Sequence, residues 1–418
     1  MRPKKSLAII SLGCPRNLVD SEMIIGRLNL NGYRVVDKIE DADIGVVNTC
    51  AFINDAKKES IDVLLDLIEL KNSGKLKKII VYGCLVQRYK DKLIKELPEI
   101  DAFIGKVSLN HSKCRFPLTA PHFAYLKICE GCINNCSYCV IPKIKGAFTS
   151  LREELLLEKA RGLDGEGISE LNIIGQDITG YGLDIYGKES LPRLLRGILK
   201  NTSNIHWFRL LYLHPERLSD ELLEVIRDQE RLCKYIDLPL QHINDRILKL
   251  MNRNLKKADI IKLIEKVRKV IPGVTLRSAF IVGFPTETEA EFKELLKFIE
   301  DMRFERLGAF IYSREESTAA YNLKDQVPVK TKNERLSLLM EKQQDISRKI
   351  NSRYLGRVLE VLIDEKDKDH YLGRTQHDAP EVDGLVYVRS SLDLKPGDFV
   401  KVKICDTLEY DLVGEPVN

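Results

Sequence analysis

Three cysteines stand at the same point of three successive strand–helix units, and this register constrains the fold more than any other feature of the 418-residue chain. Cys14 follows Ser11-Leu12-Gly13, Cys50 follows Val47-Asn48-Thr49, and Cys84 follows Val81-Tyr82-Gly83. Strand candidates at 7–12, 43–48 and 78–82 alternate with helical stretches at 20–31, 56–71 and 85–97, and 102–104 reads as an edge strand. Such alternation predicts a small doubly wound parallel α/β sheet over residues 1–108. Ligands of open α/β sheets bind in the crevice at the carboxyl ends of the strands. Three cysteines at three such ends therefore converge, although 36 and 34 residues separate them. Helix N-termini at the same edge favour thiolates and other anions.

Residues 109–122 hold two prolines and no periodicity, and read as a linker. A second alternating series follows, with strand candidates at 123–129, 170–175, 207–212, 235–238, 275–282 and 307–312. Helical stretches fall at 153–161, 191–200, 220–227, 259–270 and 289–301, and a further one at 333–350 closes the domain by residue 351. Six βα units in about 200 residues exceed a compact open sheet and predict a partial barrel of parallel strands. From 352 to 418 the pattern changes to short strands at 356–363, 385–389 and 399–404, with the turn Lys395-Pro396-Gly397-Asp398. That span predicts a small all-β barrel.

The second cysteine group is compact: Cys132-Ile133-Asn134-Asn135-Cys136-Ser137-Tyr138-Cys139. Three thiolates on one loop can each hold an iron of a cubane cluster and leave its fourth iron open to a small molecule. The loop directly follows the first barrel strand, at the end where barrel active sites are built. Cys129 extends the pattern to C-x2-C-x3-C-x2-C and keeps a structural zinc alternative open. Paired zinc ligands are normally separated by about 12–20 residues, so a gap of three is cramped. Cys129 itself ends a strand and reads as a buried spectator.

These stretches resemble the radical S-adenosylmethionine (SAM) methylthiotransferases, over the whole chain. The branch they resemble modifies an aspartate of the twelfth protein of the small ribosomal subunit. The matching segments are SLGCPRNLVDSE (11–22), VNTCAFINDAKKESID (47–62), GQDITGYGLD (175–184), YIDLPLQHINDRILKLMNRN (235–254) and GRTQHDAPEVDG (373–384). The resemblance implies an N-terminal methylthiotransferase domain, a partial (β/α)6 radical SAM barrel and a C-terminal TRAM barrel. It implies two 4Fe–4S clusters, one on Cys14, Cys50 and Cys84, the other, which binds SAM, on Cys132, Cys136 and Cys139. It further implies methylthiolation of the aspartate β-carbon, with SAM as both methyl donor and source of the 5′-deoxyadenosyl radical. Such a reaction needs an electron donor and a sulfur donor. Ile281, Val282 and Gly283, at the end of the fifth barrel strand, are similar to the adenosine-contact motif of radical SAM enzymes. Gln176 and Asp177, after the second strand, are further candidates for touching SAM or substrate. Gln241 and His242 follow the fourth strand, and His242 reads as a barrel-rim histidine rather than a catalytic one. Three departures stand out: Lys145-Gly146 with Ser150-Leu151-Arg152 replaces the family's Arg-Gly-x-x-x-Ser-Arg, His214 precedes Pro215 where a Tyr often does, and Cys129 is not a family ligand.

Charge bears on the substrate. The chain carries a net +4, but its last 67 residues hold nine basic and fourteen acidic groups, a net −5. A barrel gripping RNA should be basic, so this one suits a basic protein partner and argues against the alternative, a tRNA adenosine substrate. Asp378, Glu381 and Asp383 are the expected substrate-facing patch. A cytoplasmic location is expected, because no apolar run approaches the roughly 18 residues of a membrane span and the basic start lacks a small-residue cleavage site. An iron–sulfur electron carrier or a zinc-dependent RNA-binding protein would also carry clustered cysteines; neither would cleave SAM.

Overall fold

The computed structural model describes residues 5–105 and 115–417. The N-terminal unit is a five-stranded parallel sheet. Its strands are β1 (Ser6–Ser11), β2 (Arg34–Val35), β3 (Ile44–Thr49), β4 (Lys78–Gly83) and β5 (Ala102–Ile104), ordered β2-β1-β3-β4-β5. Helices α1 (Pro15–Leu30), α2 (Asn54–Asn72) and α3 (Cys84–Glu96) connect them. The chain leaves β1 in one direction and β3 in the other, so the switch point of the sheet lies between these two strands. Cys14 and Cys50 emerge there. The short β2 escaped the sequence reading because two residues carry no periodicity.

The central unit begins with β6 (Phe123–Lys127), which is shorter than expected. After Ile128 the chain leaves the sheet, and β7 (Cys129–Glu130) pairs antiparallel with β8 (Thr149–Ser150) across the cysteine loop and α4 (Ile141–Lys145). Then α5 (Glu153–Gly165), β9 (Glu170–Ile174), α6 (Leu183–Tyr186), α7 (Leu191–Lys200), β10 (Trp207–Leu210), α8 (Asp220–Asp228), β11 (Tyr235–Asp237), α9 (Asp245–Leu250), α10 (Lys257–Val270), β12 (Thr275–Val282), α11 (Glu289–Met302), β13 (Arg306–Ile311) and α12 (Val329–Asn351) complete the unit. The order β6-β9-β10 continues into β11-β12-β13 through the parallel bridge Phe208–Leu232. Among the described residues no ladder joins β6 to β13, so the six parallel strands form an open barrel. Alternate residues of β12 divide as period two requires: Ser278, Phe280 and Val282 are buried, the last two in the core under the helices, and Arg277, Ala279 and Ile281 face the lumen.

The last unit closes on itself as β14 (Val358–Asp367), β15 (His370–Thr375), β16 (Val386–Val388), β18 (Leu412–Pro416) and β17 (Phe399–Thr407). The end of β15 and the segment after it run beneath the central barrel and touch the first residue of several strands. Arg374 donates to Glu170 at 2.7 Å, Asp378 takes the Arg306 guanidinium at 2.9 Å, His377 Nδ1 lies 2.7 Å from Thr275 Oγ1, and the Tyr235 hydroxyl donates to Asp383 at 2.6 Å. This segment is the floor of the barrel, and the cysteine loop lies at the opposite end.

The expected acidic patch is corrected here. Asp378 is 2% exposed, and the Asp383 side chain is 4% exposed and 3.4 Å from Arg277. Only Glu381 is exposed, and the Tyr125 hydroxyl donates to it at 2.9 Å. The segment looked like a surface because its basic partners lie 70 to 110 residues earlier, on barrel strands. The expected linker differs too. Residues 109–114 lie outside the described residues, and 115–118 are strapped to α1: Arg115 pairs with buried Glu22 at 2.8 Å, whose carboxylate also takes the Leu118 amide at 2.9 Å.

The floor gives the protein an acid-sensitive joint. Burial pushes the Glu170, Asp364 and Asp378 carboxyls up, but Arg374, His122 with Arg374, and Arg306 respectively outweigh it and hold each below its ordinary value. A depressed carboxyl contributes stability that is present above its unfolded pKa and is lost as pH falls through the folded one. Asp383, raised by burial, opposes this in part. Urea midpoints should stay level from neutral pH to about 5 and fall below about 4, with a shallower fall in Asp378→Asn.

Candidate metal centres and their junction

Each cysteine of the first triad occupies the hinge between strand and helix. Cys14 is the residue before α1, Cys84 is the first residue of α3, and Cys50 follows β3. Gly13 and Gly83 precede two of them at φ +89° and +103°, where a side chain is strained. Space forbids one as well. A Cβ on Gly13 would lie 2.9 Å from the Cys50 sulfur, and one on Gly83 would lie 2.4 Å from Asn48 Oδ1. The glycines therefore let the three strand ends close together. Asn17, which sequence reasoning missed, ties them. Its amide donates to the Leu12 carbonyl at 3.0 Å and the Thr49 carbonyl at 3.4 Å, and its Oδ1 takes the Cys84 thiol at 3.8 Å. A polar residue three positions after Cys14, on the buried face of α1, was the available signal.

The second triad lies on a loop pinned from several sides. The Ser137 amide donates to Met251 and its hydroxyl to Leu250, while the Cys139 amide donates to the Cys136 carbonyl at 3.0 Å. Asn134, between the first two cysteines, donates to the Cys132 sulfur at 3.4 Å and to Asp177 at 2.8 Å, and accepts from Arg217 at 2.6 Å. Asp177 also pairs with Arg217 directly and caps the turn at Thr179. Burial raises its carboxyl, but Arg217 more than compensates and keeps it ionised. Asp177 thus braces the cysteine loop.

Gln176 differs: both atoms of its amide are buried without a partner. Ile281 turns to the lumen, and both it and Tyr138 of the cysteine loop pack on the group formed by Met251, Phe284 and Tyr312. Val282 faces the helices, and Gly283 lies under the Lys332 side chain, so these two offer only backbone to a ligand. His242 Nδ1 accepts from the Asn244 amide at 3.0 Å, and burial holds its ring at about 4, hence neutral. Gln241 adopts φ +74° and bonds through its backbone to Ala279 and Ile281.

Cys129 is 1% exposed, and its thiol points at the Asp177 carbonyl, 3.6 Å away. Cys129→Ala should keep the iron of the loop in absorbance and iron assays, whereas Cys132→Ala should lose it.

The triads face each other across the domain junction. Arg16, two residues after Cys14, donates to its sulfur at 3.4 Å and to the Gly175 carbonyl at the end of β9 at 2.9 Å, with its guanidinium 4.3 Å from the centre of the Tyr212 ring. Alongside runs a buried quartet in which Lys127 and Lys145 pair with Asp20 of α1 and with Glu130. Lys145 therefore works at the junction, and its charge falls on Cys14 and Cys84. On the far side Glu315 binds Lys57 at 2.8 Å and Arg88 at 2.9 Å.

The donor sets fit iron–sulfur clusters. All six cysteines are free, and burial pushes Cys84 and Cys139 up to about 12, so metal binding there must displace a proton. Among the described residues no three His, Cys, Asp or Glu side chains are gathered tightly enough for a single ion. A cubane takes each thiolate on a different iron and does not require that.

Three family models match the chain in turn: uncharacterized protein family UPF0004 over 6–105, the radical SAM superfamily over 126–299 and the TRAM domain over 355–417. The chain is 45% identical over 436 residues to the ribosomal protein uS12 methylthiotransferase RimO of Clostridioides difficile, covering 98% of each chain. It is 46% identical to the RimO of Caldanaerobacter subterraneus subsp. tengcongensis, covering 98% of this chain and all of that one. The chain belongs to the RimO family. Among solved structures, the radical SAM methyltransferase TsrM of Kitasatospora setae superposes with a TM-score of 0.54 at 11% identity, covering 88% of this chain and 81% of that one, a likeness of fold. The three matched ranges coincide with the three units described above. No helix among the described residues is long and apolar enough to cross a membrane.

Proposed function

We propose that this chain attaches a methylthio group to the β-carbon of an aspartate in ribosomal protein uS12, with one 4Fe–4S cluster on each cysteine triad. The observation that carries the reading is the pair of free thiol triads at the facing mouths of two α/β units, joined by Arg16. Membership of the RimO family supports the substrate. Bound at the barrel triad, the cluster and SAM supply one-electron chemistry and a methyl group.

The chain's own residues position and enclose. Asn134, Asp177 and Arg217 hold the cysteine loop in one geometry. Gln176 offers a free amide donor and acceptor at the mouth, where SAM or the substrate would meet it. Ile281 and the backbone of Val282 and Gly283 form an apolar wall on the other side of the lumen. The Arg374–Asp383 floor closes the barrel from behind, which leaves the mouth and the open side between β6 and β13 for substrate entry. An electron donor and a sulfur donor must reach the junction. Glu381 is the one acidic floor residue left to meet a basic substrate.

The test is mass spectrometry of uS12 and of tRNA from cells with and without the gene. A methylthio mass on the uS12 aspartate that disappears with the gene is the expected result. Loss of a tRNA modification with uS12 unchanged would refute the reading.

A further inference from the structure

Arg16 is a buried-edge cation with an unusual set of neighbours. Its three contacts are the Cys14 sulfur, the Gly175 carbonyl and the Tyr212 ring. Among the described residues it forms no ion pair with a carboxylate. The other cations of the junction each pair with a carboxylate: Lys127 and Lys145 with Asp20 and Glu130, Lys57 and Arg88 with the shared Glu315. A partly buried guanidinium without a carboxylate needs another anion. Cys14 is the nearest candidate, its sulfur 3.4 Å from the Arg16 Nε. The Gly175 and Tyr212 contacts place the same charge at the ends of β9 and β10, at the mouth that carries the other triad. Tyr212 holds φ +68°, a left-handed backbone that turns its ring under the guanidinium.

We infer that Arg16 is a positioning residue of the junction, which holds the N-terminal triad against the ends of β9 and β10 and brings a positive charge with no carboxylate pair of its own to both metal centres. This rests on the two-cluster reading of the proposed function. A nearby cation stabilises the more negative, reduced state of a cluster, so its loss should make both clusters harder to reduce. Lysine keeps the charge but loses the planar fork that spans Cys14 and Gly175.

The experiment is a redox titration of the reconstituted full-length protein, followed by electron paramagnetic resonance, for wild type, Arg16→Gln and Arg16→Lys, with iron counted in each. Expected is a lower midpoint potential in Arg16→Gln, shared by both cluster signals, with Arg16→Lys closer to wild type. Selective iron loss in Arg16→Gln that Arg16→Lys restores would also support the charge assignment. Unchanged midpoints in a fully loaded Arg16→Gln protein would overturn it, as would equal iron loss in both variants. If wild type binds only one cluster, the two-cluster reading fails first, and the iron count shows that separately.

Discussion

Glu170→Ala should destabilise the protein by about 3–5 kcal/mol, the cost of stranding buried charge. Glu170 is fully buried at the start of β9 and divides its carboxylate between two guanidiniums, Arg209 at 2.8 Å and Arg374 at 2.7 Å. Arg374 keeps a second anion, Asp364, which it binds through two bonds of 2.8 Å. Arg209 has none. Its remaining contacts are the Gln376 carbonyl and the face of Tyr235, and one of its terminal nitrogens already lacks a partner. Without Glu170 a full charge stays in the barrel core, next to the floor segment that the pair anchors. The thermal midpoint should fall by on the order of 10 °C, and limited proteolysis should cut between the barrel and the last unit. Glu170→Gln keeps the shape and one acceptor and should lie between. A Glu170→Ala protein melting within about 2 °C of wild type would show that the floor does not depend on this carboxylate.

The same ion pairs mark where the sequence stopped being legible. The three units and the strand–cysteine–helix register could be read because their signals are local: apolar runs, a glycine before the cysteine, a helix after it. The barrel strands could be read for the same reason, to within a few residues. The role of Asp378 and Asp383 could not. Three acids within six positions look like a surface until Arg306 and Arg277 arrive from the barrel. Net charge of a segment reports its surface only where the segment does not dock on another. Lys145 stood in the sequence only as a departure from the family's arginine, and its place at the junction could not be read: its sequence neighbours belong to the barrel loop, but its partner Asp20 belongs to α1. Asp177 was legible as a mouth residue, and its bracing of Asn134 was not, since 43 residues separate them. Arg16 lay inside a recognised segment and drew no attention, because nothing local distinguishes a cation that lacks a carboxylate from one that has one.

Changing Cys14, Cys50 and Cys84 together to Ala should abolish methylthiolation and leave half the metal. Two cubanes give about eight irons per chain, and the variant should keep about four. The two centres separate this way because, Arg16 apart, their supports are separate. The barrel loop is held by Met251, Leu250, Asp177 and Arg217, none of them in the N-terminal unit. The N-terminal triad is held by Gly13, Gly83 and Asn17, none of them in the barrel. The small thiol-to-methyl change leaves the sheet core of Leu64, Val81 and Val86 in place, so the domain should stay folded. Reduced anaerobically with SAM, the variant should still release 5′-deoxyadenosine, measured by chromatography, while uS12 gains no methylthio mass. Loss of all iron, or of all SAM cleavage, would show that the triads form one centre. Full methylthiolation by the variant would show that the barrel triad alone does the chemistry and that the N-terminal cysteines serve only to pack the strand ends.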